Sequence, residues 1–287
     1  MKEVLNLIRV KHYIKNIYVW LAIIFSGRLL EINSLISVFF AFLAFSLTSS
    51  AVYIINDIKD KEKDKLHEKK KNRPIASGAI SIKRAKLIAS TCLILALIFN
   101  CFSTNNNYSY LYLGGYLILN LAYTFKLKEI PLLDITIIVI GFMIRMMYGA
   151  FVINVEISNW LYLTLISVSF FQALGKRRNE MSYKEEGQTR AVLKNYTKEF
   201  LDKNMYICIA LSIVFYSLWC VDPITTATHD SELIIWSIPI VMLICMKYSM
   251  ILEGSSDGDP VDVILSDKLL IALIAFLGLF MLFILYG

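Results

Sequence analysis

Asn56-Asp57-Ile58-Lys59-Asp60-Lys61-Glu62-Lys63-Asp64 follows directly on an apolar run at about 35–55. Asp57, Asp60 and Asp64 stand three and four residues apart, so on a helix they share one face. Three carboxylates on one face repel one another unless a cation lies between them. A hard divalent ion such as Mg²⁺ meets that need and keeps substrate phosphates as further ligands. Lys59, Lys61, Lys63 and Lys65 alternate with the acids, which is also the pattern of a solvated helix end. Two neighbours favour metal and phosphate: the apolar run before, and Arg73-Pro74-Ile75-Ala76-Ser77-Gly78 after. The proline behind Arg73 stops any helix, and the guanidinium can fork onto phosphate oxygens. Asn56 adds a neutral oxygen or an amide donor.

Composition sets the class. The chain has 287 residues, 57% hydrophobic and 18% charged. Soluble domains carry nearer a quarter charged residues, so this is an all-α, polytopic membrane protein. Apolar segments at roughly 17–30, 35–55, 84–102, 108–125, 132–153, 158–174, 205–220, 233–251 and 268–286 predict about nine transmembrane helices. With nine alternating spans, every lysine and arginine except Arg28 and Arg145 falls on one side. The positive-inside rule makes that side cytoplasmic. The expected placement is therefore a multi-pass protein of the cell membrane, with its N-terminus and its candidate site in the cytoplasm.

One domain is expected over 1–287, with cytoplasmic loops at 56–83 and 175–204 over the site. Residues 1–16 lack the apolar core and cleavage site of a signal peptide. Val4, Leu7, Val10 and Ile14 form an apolar stripe there, which suits a helix lying in the membrane interface. The five cysteines form no Cys-x-x-Cys pair, so neither a zinc site nor a disulfide framework is suggested. His12, His67 and His229 lack metal-ligand spacing and read as ordinary surface residues. No nucleic-acid partner is implied, and a homo-oligomer is compatible with the sequence.

Three further constellations carry chemistry. Tyr123-Thr124-Phe125-Lys126-Leu127-Lys128 ends the fourth span with a phenol and two ammonium groups, which alone read as an aromatic-belt tyrosine with two anchoring lysines. Asp134 and Arg145 lie within the fifth span, eleven residues or about three turns apart. Ionisable groups in a span are costly and face a cavity or a neighbouring helix. Contact with substrate and structural polar pairing both remain open for them. Gly175-Lys176-Arg177-Arg178-Asn179-Glu180 follows the sixth span and sets a cluster of cations beside a single acid.

The motif Asn-Asp-x-x-Asp-x-x-x-Asp, followed by Asn72-Arg73-Pro74, resembles the first signature of the UbiA superfamily of intramembrane prenyltransferases. An ordinary member carries a second aspartate-rich motif after its sixth span. Lys176, Arg177 and Arg178 stand there instead, which suits direct contact with phosphate. That departure is similar to the decaprenyl-phosphate phosphoribosyltransferase branch. The matching residues are Lys15-Asn16, the Asn56–Asp64 motif, Arg73 to Gly78, Tyr123, Leu127, Lys128, Asp134, Gly141, Phe142, Arg145, Gly175, Lys176, Arg177 and Glu180. The last loop, from Asp257 to Asp267, matches as well, so that the resemblance runs from about 8 to 270.

The resemblance implies a UbiA-like bundle around a cytoplasm-facing central cavity. It implies Mg²⁺-dependent transfer of 5-phosphoribose from phosphoribosyl pyrophosphate (PRPP) to a polyprenyl phosphate, with release of pyrophosphate. Asp57, Asp60 and Asp64 would then be the catalytic, metal-holding residues. Lys15, Asn16, Asn56, Arg73, Tyr123, Lys126, Lys128, Asp134, Arg145, Lys176, Arg177 and Glu180 would bind substrate. The family's best-known product feeds cell-wall arabinan. One alternative is a UbiA-type prenyltransferase that moves a polyprenyl chain from its diphosphate onto an aromatic or other acceptor; the missing second acidic motif counts against it. Another is a membrane transporter, against which the gathering of charged motifs at one mouth and the lack of paired broken helices both count.

Overall fold

The computed structural model describes residues 2–66, 68, 70–181, 191–254 and 258–287, and among them every regular element is helical. The helices are α1 (Lys2–Ile8), α2 (Tyr18–Phe25), α3 (Ile32–Lys59), α4 (Lys61–Leu66), α5 (Ile82–Ser103), α6 (Ser109–Phe125) and α7 (Leu133–Val152). They continue with α8 (Asn159–Glu180), α9 (Lys198–Val221), α10 (Pro223–His229), α11 (Ser237–Glu253), α12 (Pro260–Ser266) and α13 (Lys268–Tyr286). Among the described residues six helical stretches are long and apolar enough to cross a bilayer: α3, α5, α7, α9, Leu233–Glu253 and α13.

The N-terminal region differs from the sequence reading in two places. The expected helix over 1–16 is broken at Arg9, whose backbone is left-handed (φ 55, ψ 50) and separates α1 from a 3-10 helix, Val10–Ile17. The first expected span, 17–30, contains only the 8 residues of α2. Hydropathy continues past Phe25, but Gly27 adopts φ 75, a backbone state that ends the helix.

The chain forms two compact units. The first comprises Met1–Ile24, Arg28–Lys128 and Ile144–Val155; the second comprises Phe25–Gly27, Glu129–Met143 and Glu156–Gly287. In the first unit α3 packs along α5 and against α6. The buried side of α3 carries many small residues, Ala41, Ala44, Ser46, Thr48, Ser49, Ser50 and Ala51, beside larger ones such as Phe45 and Ile54, and α5 offers Ala85, Ala89 and Ala96. Small residues let helix backbones approach closely where lipid removes the usual hydrophobic drive. α1 lies on α3, with Leu7 buried among Ile54, Ile75 and Ile80. The last two anchor the loop that begins at Arg73. That loop closes through Ser77 N to Arg73 O (2.9 Å) and Ile80 N to Pro74 O (2.9 Å).

A Cβ on Gly149 would run into the Val19 carbonyl oxygen, a backbone atom that cannot rotate away. Gly149→Ala is therefore expected to cost about 1–3 kcal/mol through overpacking. Thermal unfolding in detergent checks this, and an unchanged melting temperature would show that α2 can shift.

In the second unit α8 packs along α9, and α11 along α13. One core gathers Phe171, Leu174, Leu201, Met205, Leu252 and Val263. Helix starts follow the sequence signals: Thr197 Oγ1 accepts from Phe200 N (3.1 Å), and Asp259, ahead of Pro260, accepts from Val261 N (3.1 Å).

Candidate active site

The acidic motif crosses the junction between α3 and α4. The i−4 pattern persists through it, because Asp60 N donates to Asn56 O (2.9 Å) and Asp64 N to Asp60 O (2.8 Å). Asp57 and Asp64 therefore sit side by side, 2% and 5% exposed. A single nitrogen of Arg73, Nη1, lies 3.0 Å from Asp57 Oδ1 and 2.7 Å from Asp64 Oδ2. Arg9 Nη2 donates to the same Asp57 oxygen at 2.5 Å, and its guanidinium carbon lies 4.8 Å from the centre of the Tyr53 ring. Burial pushes the Asp64 carboxyl above the usual carboxylate range, although Arg73 pulls the other way.

Asp60 does not join this group. It is the residue at the helix junction and turns to Lys128 Nζ, 3.1 and 3.0 Å from its two oxygens. Among the described residues no three His, Cys, Asp or Glu side chains converge. Two of the three carboxylates thus share one cation and the third has its own. Mg²⁺ is usually held by one or two carboxylates together with substrate phosphates and water. The Asp57–Asp64 pair fits that pattern: two buried hard-oxygen donors with a positive group already between them.

Other expected residues brace the motif. Thr124 Oγ1 donates to Asn56 Oδ1 (3.2 Å), and Lys59 Nζ to Thr124 O (2.6 Å), which ties the end of α3 to the end of α6. Tyr123 is partly buried and Lys126 is exposed, so of the two lysines only Lys128 reaches the acids. Deeper in the same unit, Asn16 is buried, donates to Ser46 Oγ (3.0 Å) and accepts from Arg145 Nε (2.8 Å). Arg145 also donates through Nη2 to Tyr116 OH (2.9 Å), its guanidinium 5.0 Å from the Phe45 ring and 4.7 Å from the Tyr116 ring. Lys15, next to Asn16, is partly exposed.

Asp134 and Arg145 belong to separate networks. In the second unit Asp134 Oδ2 accepts from Arg177 Nε at 2.5 Å, and both side chains are 0% exposed. Arg177 Nη1 also reaches Glu180 Oε2 (2.8 Å). Tyr196 OH donates to Asp134 Oδ1 (2.6 Å) and accepts from Leu132 N (2.6 Å). Lys176 pairs with Asp259 (3.0 Å) and Arg178 with Asp202 (2.5 Å). The basic cluster after the sixth expected span therefore meets acids brought from elsewhere in the chain. Arg177, expected to bind substrate, has no exposed surface and is held by Asp134 and Glu180. The segment 182–190 of that loop lies outside the described residues, as do Asp257 of the last loop and His67.

Arg9, Tyr196 and Asp202 were not singled out in the sequence. Arg9 had one signal, an arginine in a terminus where every other base is lysine; arginine is favoured where a planar fork meets a carboxylate or phosphate. Tyr196 and Asp202 had none.

Residues 18–262 match the UbiA prenyltransferase family. The chain is 30% identical over 271 residues to the decaprenyl-phosphate phosphoribosyltransferase of Corynebacterium glutamicum, covering 92% of this chain and 80% of that protein. It is 30% identical over 287 residues to the enzyme of the same name from Mycolicibacterium smegmatis, covering 94% of this chain and 89% of that one. A solved UbiA homolog from Archaeoglobus fulgidus, bound to GPP and Mg²⁺, matches with a TM-score of 0.70 over 97% of this chain and 99% of its own. At 16% identity that likeness shows the fold. The chain belongs to the UbiA prenyltransferase family of membrane transferases, and within it is similar over most of its length to the decaprenyl-phosphate phosphoribosyltransferases.

Proposed function

We propose that this protein transfers 5-phosphoribose from PRPP to a polyprenyl phosphate in a Mg²⁺-dependent reaction at the cytoplasmic face of the cell membrane. The observation that carries this reading is the similarity, over 92% of the chain, to a relative named for that transfer. The Asp57–Asp64 pair supports it, because a diphosphate leaving group calls for a divalent cation held by few protein ligands. The concentration of lysine and arginine on one side of the expected topology supports the cytoplasmic orientation.

In this reaction the bond from C1 of the ribose to the pyrophosphate oxygen breaks, and a bond from C1 to the lipid phosphate oxygen forms. The nucleophile is already an anion at neutral pH, so no general base is needed. The departing pyrophosphate carries the charge. Asp57 and Asp64 would hold Mg²⁺, which when bound would supply charge neutralisation to the leaving group. Arg73, already beside both carboxylates, forks onto diphosphate oxygens, and Lys128 keeps Asp60 turned aside. Asn16 orients Arg145 within the spans. Within the second unit Asp134, Arg177, Glu180 and Tyr196 form a buried bonded network, and the neighbouring Lys176, now paired with Asp259, is the cation assigned to a substrate phosphate.

The test uses detergent-purified protein with Mg²⁺, labelled PRPP and a polyprenyl phosphate. Label is expected in the organic phase only when both the metal and the lipid phosphate are present. Absence of label, with a prenyl diphosphate consumed when an aromatic acceptor is supplied, would place the protein among the prenyltransferases instead.

A further inference from the structure

Arg9 lies outside the motifs that define the site, yet it is bonded to the central carboxylate. We propose that Arg9 is a diphosphate-binding residue that makes divalent-metal binding and diphosphate binding depend on each other. The proposal rests on the reading of Asp57 and Asp64 as the metal–diphosphate site.

Asp57 Oδ1 accepts from Arg9 Nη2 (2.5 Å) and from Arg73 Nη1 (3.0 Å), and Arg73 Nη1 also reaches Asp64 Oδ2 (2.7 Å). Two guanidiniums and two carboxylates form one formally neutral group. A divalent cation arriving alone must displace a guanidinium from a buried carboxylate and then face two like charges. A diphosphate arriving alone faces the two carboxylates. When both arrive together, the metal takes the carboxylates and the guanidiniums take the phosphate oxygens, so every charge stays matched. Each ligand is therefore bound weakly without the other, and the coupling is reciprocal.

The backbone shows why Arg9 shares this task with Arg73. It holds a left-handed conformation (φ 55, ψ 50) between α1 and the 3-10 helix, a state non-glycine residues adopt rarely and chiefly at functional positions. Both sides of it are pinned: Ser50 Oγ donates to Ile8 O (2.7 Å), and Tyr13 OH lies 3.0 Å from the same hydroxyl. The other side of the segment presents Val10, Ile14 and Ile17, each exposed, as a lipid-facing surface. The segment is thus fixed on α3, and the exchange of partners falls to the side chain. Tyr53, whose ring already carries the guanidinium at 4.8 Å, gives it a resting place off Asp57.

The experiment measures binding, without turnover, on the full chain in detergent. Mn²⁺ is the metal probe, followed by electron paramagnetic resonance, and inorganic pyrophosphate is the anion, with their complex in solution accounted for. In the wild type, pyrophosphate is expected to raise Mn²⁺ affinity about tenfold or more, and Mn²⁺ to raise pyrophosphate affinity by the same factor. Arg9→Gln is expected to bind Mn²⁺ alone about fivefold more tightly, with the coupling reduced to about threefold or less. Arg9→Lys keeps the charge but loses the fork, and its coupling is expected between the two. Wild-type affinity and coupling in both variants would overturn the role of Arg9 while leaving the site intact. A wild type that binds no Mn²⁺ with or without pyrophosphate, indistinguishable from Asp57→Asn, would overturn the site reading and the proposal with it.

Discussion

Asp57→Asn is expected to lower the rate of phosphoribosyl transfer by about a thousandfold, which corresponds to about 4 kcal/mol of transition-state stabilisation. The substitution keeps the shape of the side chain and removes its charge. Asp57 Oδ1 is the atom on which Arg9 and Arg73 both converge, so the change takes away one of the two proposed metal ligands and the counter-charge of the two guanidiniums proposed to bind phosphate. Its effect on stability should be much smaller than on rate, because the Arg9 and Arg73 side chains are 17% and 26% exposed and can turn to water. Asp60→Asn is the internal contrast. Asp60 faces Lys128 rather than the shared cation, and its loss is expected to cost only about tenfold, below the roughly hundredfold or more that follows loss of a group acting directly on transition-state charge. Initial rates of label transfer at saturating Mg²⁺ separate the two. Equal effects would mean that Asp60 swings in to join the metal, and a fully active Asp57→Asn would end the metal–diphosphate reading.

The parts of this protein that were legible in its sequence are those set by neighbours along the chain. Hydropathy located the long spans α3, α5, α7, α9 and α13. The spacing put Asp57, Asp60 and Asp64 on one face beside the Arg73 loop; Asp57 and Asp64 do meet at Arg73, whereas Asp60 turns to Lys128. What escaped was set by distant partners or by single backbone angles. Arg9 lies 48 residues from Asp57, Arg177 lies 43 from Asp134, and Lys176 lies 83 from Asp259. A window around 175–180 therefore reads as a bare cluster of bases, although each of its cations has an acid. Likewise a hydropathy profile cannot register the positive φ of Gly27 or Arg9, and so it drew one long span and one unbroken N-terminal helix where the chain turns.

The buried pair Asp134–Arg177 should dominate the stability of the second unit. Arg177→Gln leaves the Asp134 charge unpaired with no exposed surface, and Asp134→Asn leaves Arg177 with the partly exposed Glu180 as its remaining acid; each is expected to cost about 3–5 kcal/mol, the first more than the second. In a protein of this size that corresponds to a fall of about 10 °C in the apparent melting temperature. The double variant Asp134→Leu with Arg177→Met removes both charges and fills similar volume, and is expected to recover most of the loss. Recovery should be incomplete for an identifiable reason. Burial and the bond to Asp134 push the Tyr196 hydroxyl up to about 12, so at neutral pH it is a firm donor whose acceptor is Asp134. The double variant orphans that donor, at about 1–3 kcal/mol, whereas Glu180, at 21% exposure, can turn to water. Melting temperatures of the two single variants and the double measure this directly, and additive losses in place of recovery would mean that the pair is not the unit of stability. The same proteins also decide what Arg177 does for the substrate. If it is a positioning residue, as its burial requires, the stable double variant keeps its KM for PRPP within about threefold. If it grips phosphate after a rearrangement, that variant stays folded and its KM rises tenfold or more, as expected for the loss of a charge-assisted bidentate contact.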